Sequence, residues 1–121
     1  MTKKEQRYIP IVKSEIFFIR QLDNLGINRR YLGFYYLIEI LNLLINQGIK
    51  VKSYSNQIYP IVALKYNKSV CTIERNIRNL IDKCWSVDLL KRLNIFYHGN
   101  KKPSCCKFIE LLKMYINSQI L

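Results

Sequence analysis

An all-α bundle of about six helices containing a helix-turn-helix is the fold this sequence predicts, and three observations point to it. Apolar residues recur at three- and four-residue steps in several separate stretches, the period of a helix with one buried face. Half of the 121 residues are hydrophobic, with only 4 Gly and 3 Pro, a composition of packed helices rather than of disorder. Between residues 55 and 85 a short helix, a three-residue break and an amphipathic basic helix follow one another. The length suits one domain, able to bury about two-thirds of its unfolded surface around a single core. The expected division is a basic N-terminal arm, residues 1–13, ahead of one folded unit, residues 14–121.

The arm holds Lys3, Lys4, Arg7 and Lys13 against Glu5, and Pro10 interrupts any helix in it. Its charge suits either phosphate contact or a solubilising tail. Ser14 is placed to cap a first helix over SEIFFIRQLDNLG, which Gly26 ends through a left-handed turn. Asn28 then opens a second, longer helix to about Gln47. Its run from Tyr31 to Ile45 is apolar almost all round, broken by Gly33, Glu39 and Asn42, as expected at the centre of a bundle or at a shared subunit surface. These 15 residues, with Glu39 inside, fall short of the roughly 20 that span a bilayer. Gly48 closes the helix, and Lys50 and Lys52 make a basic connector.

Ser53 or Ser55 starts a third, short helix over Ser55–Ile58, with Pro60 in a first turn that tolerates it. IVALKYN continues it, with Ile61, Leu64 and Tyr66 as expected buried positions. Asn67, Lys68 and Ser69 make the break. In the helix from Ser69 to Trp85, Val70, Ile73, Ile77, Leu80, Ile81 and Cys84 gather on one face. Thr72, Arg75 and Asn79 fall opposite, flanked by Glu74 and Arg78, four residues apart and able to pair. Hydroxyl, amide, carboxylate and guanidinium groups are the types that read base edges and phosphates in a major groove, although a plain surface helix carries them too. In a helix-turn-helix the preceding helix crosses the backbone, which puts Lys65 and Lys68 near phosphates.

Beyond Trp85, Ser86 caps a short helix, SVDLLKRLN. A loop with Gly99, Asn100 and Pro103 follows, whose Lys101 and Lys102 are placed to grip a duplex beside the amphipathic helix. Ser104 caps the last helix, in which Phe108, Leu111, Leu112, Tyr115 and Ile116 form a core stripe. Cys105 and Cys106 fall in its first turn, where the dipole favours a thiolate and a redox-responsive thiol is one reading.

Lys and Arg total 20 against 8 Asp and Glu, a formal charge of +12 and a pI near 9.7. Such a chain repels itself unless a polyanion is bound, so double-stranded DNA is the leading partner and an anionic membrane surface ranks behind it. The excess is concentrated between residues 50 and 102, with eleven basic residues against three acids. The four cysteines show no paired C-x-x-C spacing for zinc, and the N-terminus lacks an apolar signal core. A reduced, cytoplasmic setting is expected, with no membrane span, metal or cofactor. His98 has no second histidine or carboxylate at catalytic spacing. Without a nucleophile–base set or a phosphate-cradling glycine loop, catalysis is not expected.

Three stretches carry a likeness to a known family: LGINRRYLGFYYLIEIL (25–41), IYPIVALKYNKSVCTIERNIRNLIDKCW (58–85) and KPSCCKFI (102–109). The chain resembles the C-terminal, DNA-binding effector domains of the stage-zero sporulation regulator protein A family, collinearly from about Asp23 onward. Tyr59-Pro60, the Ile-Glu-Arg-x-Ile-Arg core at 73–78 and Trp85 are the specific features. The resemblance implies an all-α bundle that binds short promoter boxes, often as tandem copies, and activates or represses transcription in endospore-forming bacteria. Under it Glu74 and Arg75 match a base-reading pair and Arg78 a basic position on the same helix. Thr72 stands where the family has an arginine that reads guanine. Losing a bidentate guanidinium removes about 1–3 kcal/mol of base discrimination, which puts the family's box in question. Asn79 and Lys107 also depart. About twenty residues precede the match, so either a fragment of a longer protein or a stand-alone relative without a phosphorylatable receiver is expected, and Met1 with the basic arm favours the second.

The function expected is therefore a cytoplasmic, sequence-specific DNA-binding transcription regulator. Glu74 and Arg75 read bases, Thr72 and Asn79 tune preference, and Lys65, Lys68, Arg78, Lys101 and Lys102 hold phosphates. Two alternatives stay open: an interaction protein that pairs with a full-length regulator, and a charge-driven nucleic-acid binder without sequence preference. A homodimer or tandem occupancy on DNA is compatible with the first reading.

Overall fold

The structure, a computed structural model, describes residues 13–93, 96–97 and 101–120. The arm up to residue 12, and His98, Gly99 and Asn100, lie outside the described residues. Six helices and no strand are found among them.

Helix α1 spans Glu15–Asn24, with the Ser14 hydroxyl accepting the Phe17 N–H at 3.1 Å. Glu15 in its first turn complements the helix dipole. Its end is a paired-bond cap: Ile27 N–H reaches the Leu22 carbonyl at 3.0 Å and Gly26 N–H the Asp23 carbonyl at 2.9 Å. Gly26 supplies the positive φ, +80°, that this geometry needs. Arg29 folds back onto Asp23 at 2.6 and 3.2 Å, and that carboxylate raises the guanidinium's already high pKa.

Helix α2, Leu32–Leu41, runs on as a wider π turn over Asn42–Asn46. It starts at Leu32 rather than at Asn28, because the Asn28 side chain accepts the Arg30 N–H at 2.9 Å in a local turn that forestalls the helix. Gly33, Phe34, Tyr36, Leu37, Ile38, Ile40, Leu41, Leu43 and Leu44 are all buried, so the central position expected for this helix is observed.

Helix α3 is continuous from a π turn, Tyr54–Ile58, into Tyr59–Tyr66, with Ser53 as its cap. Pro60 explains the wide turn: it has no N–H to donate, and its ring would collide with the carbonyl four residues back in a regular helix. The expected buried face is corrected here. Ile61 is 45% and Leu64 85% exposed, Tyr66 is half-buried, and the core is met by Ile58, Tyr59, Val62 and Ala63. The i, i+3, i+4 set that begins at Tyr59 packs against the core, which turns Ile61 and Leu64 to solvent. Tyr66 instead stands edge-on to Tyr36, ring centres 5.1 Å apart.

Helix α4, Val70–Cys84, buries Ile73, Ile77, Leu80 and Ile81. Helix α5, Val87–Leu93, follows with the Ser86 hydroxyl accepting the Leu89 N–H at 3.2 Å. Helix α6, Cys105–Ile120, lays Phe108, Ile109, Leu111, Leu112 and Ile116 into the core. Trp85 sits edge-on to both Tyr97 and Phe108, closing the lower end of α4 against α6. No helix among the described residues is long and apolar enough to cross a membrane.

Candidate nucleic-acid interface

The α3–α4 pair is joined by Asn67, Lys68 and Ser69. Asn67 takes the left-handed conformation, φ 53° and ψ 50°, and its N–H and that of Lys68 return to the Leu64 and Ala63 carbonyls. Asparagine tolerates that conformation better than other residues with a side chain, so the reversal is written into the break itself. Ser69 then caps α4, accepting the Thr72 N–H at 3.1 Å.

The position of α4 is set by α2. An ideal Cβ on Gly33 would lie 2.5 Å from the Asn76 carbonyl oxygen and 3.0 Å from Leu80 Cβ, so only glycine allows the two backbones to come this close. With Ile73, Ile77 and Leu80 buried, the opposite side of α4 is fixed outward. Arg75, Arg78 and Asn79 are exposed there, with Thr72 and Glu74 half-buried at its edges. This is the face expected from the spacing, and Cys71 joins it. Its place four residues before Arg75 and seven before Arg78 shows that the sequence signal was present.

The polar groups on this face are tied to one another. Arg78 donates to Glu74 in an i, i+4 ion pair. Arg75 Nη2 donates to Thr72 Oγ1 at 3.4 Å, and that oxygen lies 2.9 Å from Ser69 Oγ. Lys65, at the end of α3, pairs with Glu39 of α2 at 2.5 Å, and the carboxylate raises the ammonium's pKa. Lys102 pairs with Asp82 near the end of α4. The Tyr97 hydroxyl donates to the Lys101 carbonyl at 2.6 Å within the loop before α6, and the Tyr97 ring stands edge-on to Trp85 at the end of α4. Arg75, Lys68 and Lys101 have no ion-pair partner among the described residues.

All nine side chains expected at the site are exposed or half-buried; five of them lie on α4, and Lys102 is brought beside that helix by its pair with Asp82. Lys65 departs in direction, since its ammonium is engaged toward α2. The thiol reading at the start of α6 is corrected for Cys105. It is buried, its Sγ stands 3.9 Å from the Glu74 carbonyl, and burial pushes its thiol up, away from thiolate. Cys106 is exposed. Gly33 and Asp82 are the positioning residues that sequence reasoning passed over. Gly33 was legible only as a glycine inside an apolar helix, a placement that usually has a packing reason.

A six-helix bundle with a capped, outward-facing second helix in a helix-turn-helix has the architecture that DNA-binding domains of this class share. The model of the family described as "Sporulation initiation factor Spo0A C terminal" matches residues 18–116, and the chain belongs to that family. Its members are DNA-binding domains of sporulation and transcription regulation rather than enzymes, which accords with the resemblance drawn from the three stretches above.

Proposed function

We propose that this chain is a sequence-specific transcription regulator that reads promoter boxes by inserting α4, with its Ser69 cap, into the major groove. The observation that carries the reading is the outward set Thr72, Glu74, Arg75, Arg78 and Asn79, held against α2 by the Gly33 close approach. Arg75 brings a fork matched to guanine O6 and N7, and Glu74 an acceptor for the cytosine amino group. Thr72 and Asn79 tune the preference at neighbouring bases. Lys68, Lys101, Lys102, Arg78 and Lys65 hold phosphates and set register.

Three of these cations are already paired with carboxylates, which bears on cost. The pairs are partly or largely exposed, and such pairs contribute about 0–1 kcal/mol, so exchanging a carboxylate for a phosphate costs little. Glu74 can keep Arg78 on one oxygen while presenting the other to a base.

Selection from random-sequence duplexes with the purified protein tests the proposal. Enrichment of one short motif is the expected result. Recovery of pools without a shared motif, at an affinity that only follows salt, would leave the charge-driven binder as the better reading.

A further inference from the structure

We infer that Thr72 is a positioning residue that determines specificity: its hydroxyl holds the Arg75 guanidinium in one orientation over α4, so that Arg75 reads a single base pair instead of sampling several. The inference rests on the reading of α4 as the base-reading helix. Arg75 is exposed on that helix, and among the described residues the Thr72 oxygen is its one side-chain partner. A guanidinium carries donors only, so Thr72 Oγ1 accepts from Arg75 Nη2 across the 3.4 Å separation.

That oxygen is itself fixed. It lies 2.9 Å from Ser69 Oγ, and Ser69 Oγ is anchored by the Thr72 N–H at 3.1 Å. Ser69, Thr72 and Arg75 follow at three-residue steps, so the rigid geometry of the helix cap passes along a short hydrogen-bonded chain to the arginine.

The contrast with Arg78 sharpens the assignment. Arg78 is held by the Glu74 carboxylate, which offsets its charge. Arg75 is held by a neutral oxygen. It keeps its whole charge and four further donors, enough for a bidentate pair with a guanine.

The test measures binding of the wild-type protein to its selected duplex and to every single-base variant of it, beside Thr72→Val, Thr72→Ser, Arg75→Ala and Arg75→Ala combined with Thr72→Val. Thr72→Val is expected to lower the preference at the Arg75-dependent base pair about three- to tenfold, the worth of one hydrogen bond, and Thr72→Ser to retain it. In the Arg75→Ala background Thr72→Val is expected to change nothing at that base pair. An unchanged preference in Thr72→Val overturns the inference. So does an equal loss in both backgrounds, which would make Thr72 a direct base contact. If Thr72→Val lowers the unfolding midpoint, Thr72→Ala removes the same hydroxyl and is read the same way. A wild-type protein that selects no motif overturns the reading of α4 and this inference together, whereas a clear motif with an indifferent Thr72→Val overturns the inference alone.

Discussion

Gly33 of α2 and Asn76 of α4 meet backbone to backbone: a methyl group on Gly33 would stand 2.5 Å from the Asn76 carbonyl oxygen. A glycine inside a helix costs about 1 kcal/mol relative to alanine, so its presence here reflects the crossing and not the helix. Gly33→Ala is expected to destabilise the fold by about 1–3 kcal/mol, because the obstructing atom is main chain and α4 must shift to admit the methyl. Urea unfolding measures this. Unchanged or increased stability would show that the crossing has slack.

Tyr59 is 1% exposed, and its hydroxyl has no hydrogen-bond partner of good geometry among the described residues, only the neighbouring Cys106 thiol. Tyr59→Phe removes an unsatisfied buried polar group while keeping the ring, and is expected to be neutral or stabilising by about 1 kcal/mol. A loss beyond about 1 kcal/mol in thermal unfolding would contradict it.

Alkaline pH offers a third test. Burial pushes up Tyr59, with the Cys106 and Cys105 thiols adding to it, and pushes up Tyr54, whose hydroxyl donates to Glu110. Burial also raises Cys105. The folded protein thus keeps protons that the unfolded chain releases near pH 9 for the thiol and pH 10 for the phenols. Stability from these groups is complete below those values and falls as pH rises through them. Denaturant midpoints measured from pH 7 to 11 should fall, and less steeply in Tyr59→Phe. A midpoint that rises across this range would reverse the sign.

The cysteines should separate by reactivity. Cys71 and Cys106 are exposed, whereas Cys105 is buried with a raised pKa. Brief alkylation at neutral pH, read by peptide mass spectrometry, should label the first two and spare Cys105. Equal labelling of Cys105 and Cys106 would contradict the packing of the α6 first turn.

Much of this was legible from residue spacing. Ser14, Ser69, Ser86 and Ser104 cap the helices they precede, since the hydroxyl need only meet an N–H within the next turn. The outward face of α4 was legible for the same local reason, because six apolar residues at helical steps fix the direction of the rest. The start of α2 and the register of α3 were not. The first depends on a side-chain turn at Asn28 that competes with a helix cap. The second depends on which of two apolar sets, Ile61 with Leu64 or Tyr59 with Val62 and Ala63, finds the core. The pairing of Lys65 with Glu39 and of Lys102 with Asp82 joins residues 26 and 20 apart, beyond any local pattern.

Base reading and phosphate holding should come apart by mutation. Arg75→Ala is expected to relax discrimination at one base pair by about 1–3 kcal/mol, while Lys101→Ala weakens cognate and random DNA alike and flattens the salt dependence by about one unit. Equal losses on cognate and random DNA for Arg75→Ala would remove it from the base-reading set.

The central claim, that α4 reads sequence, is tested most directly by fluorescence anisotropy of the purified protein on its selected duplex and on a scrambled one across a salt series. A preference of about 10³-fold or more that persists at physiological salt is the predicted result. Affinities that are equal on the two duplexes and collapse together as salt rises would contradict it.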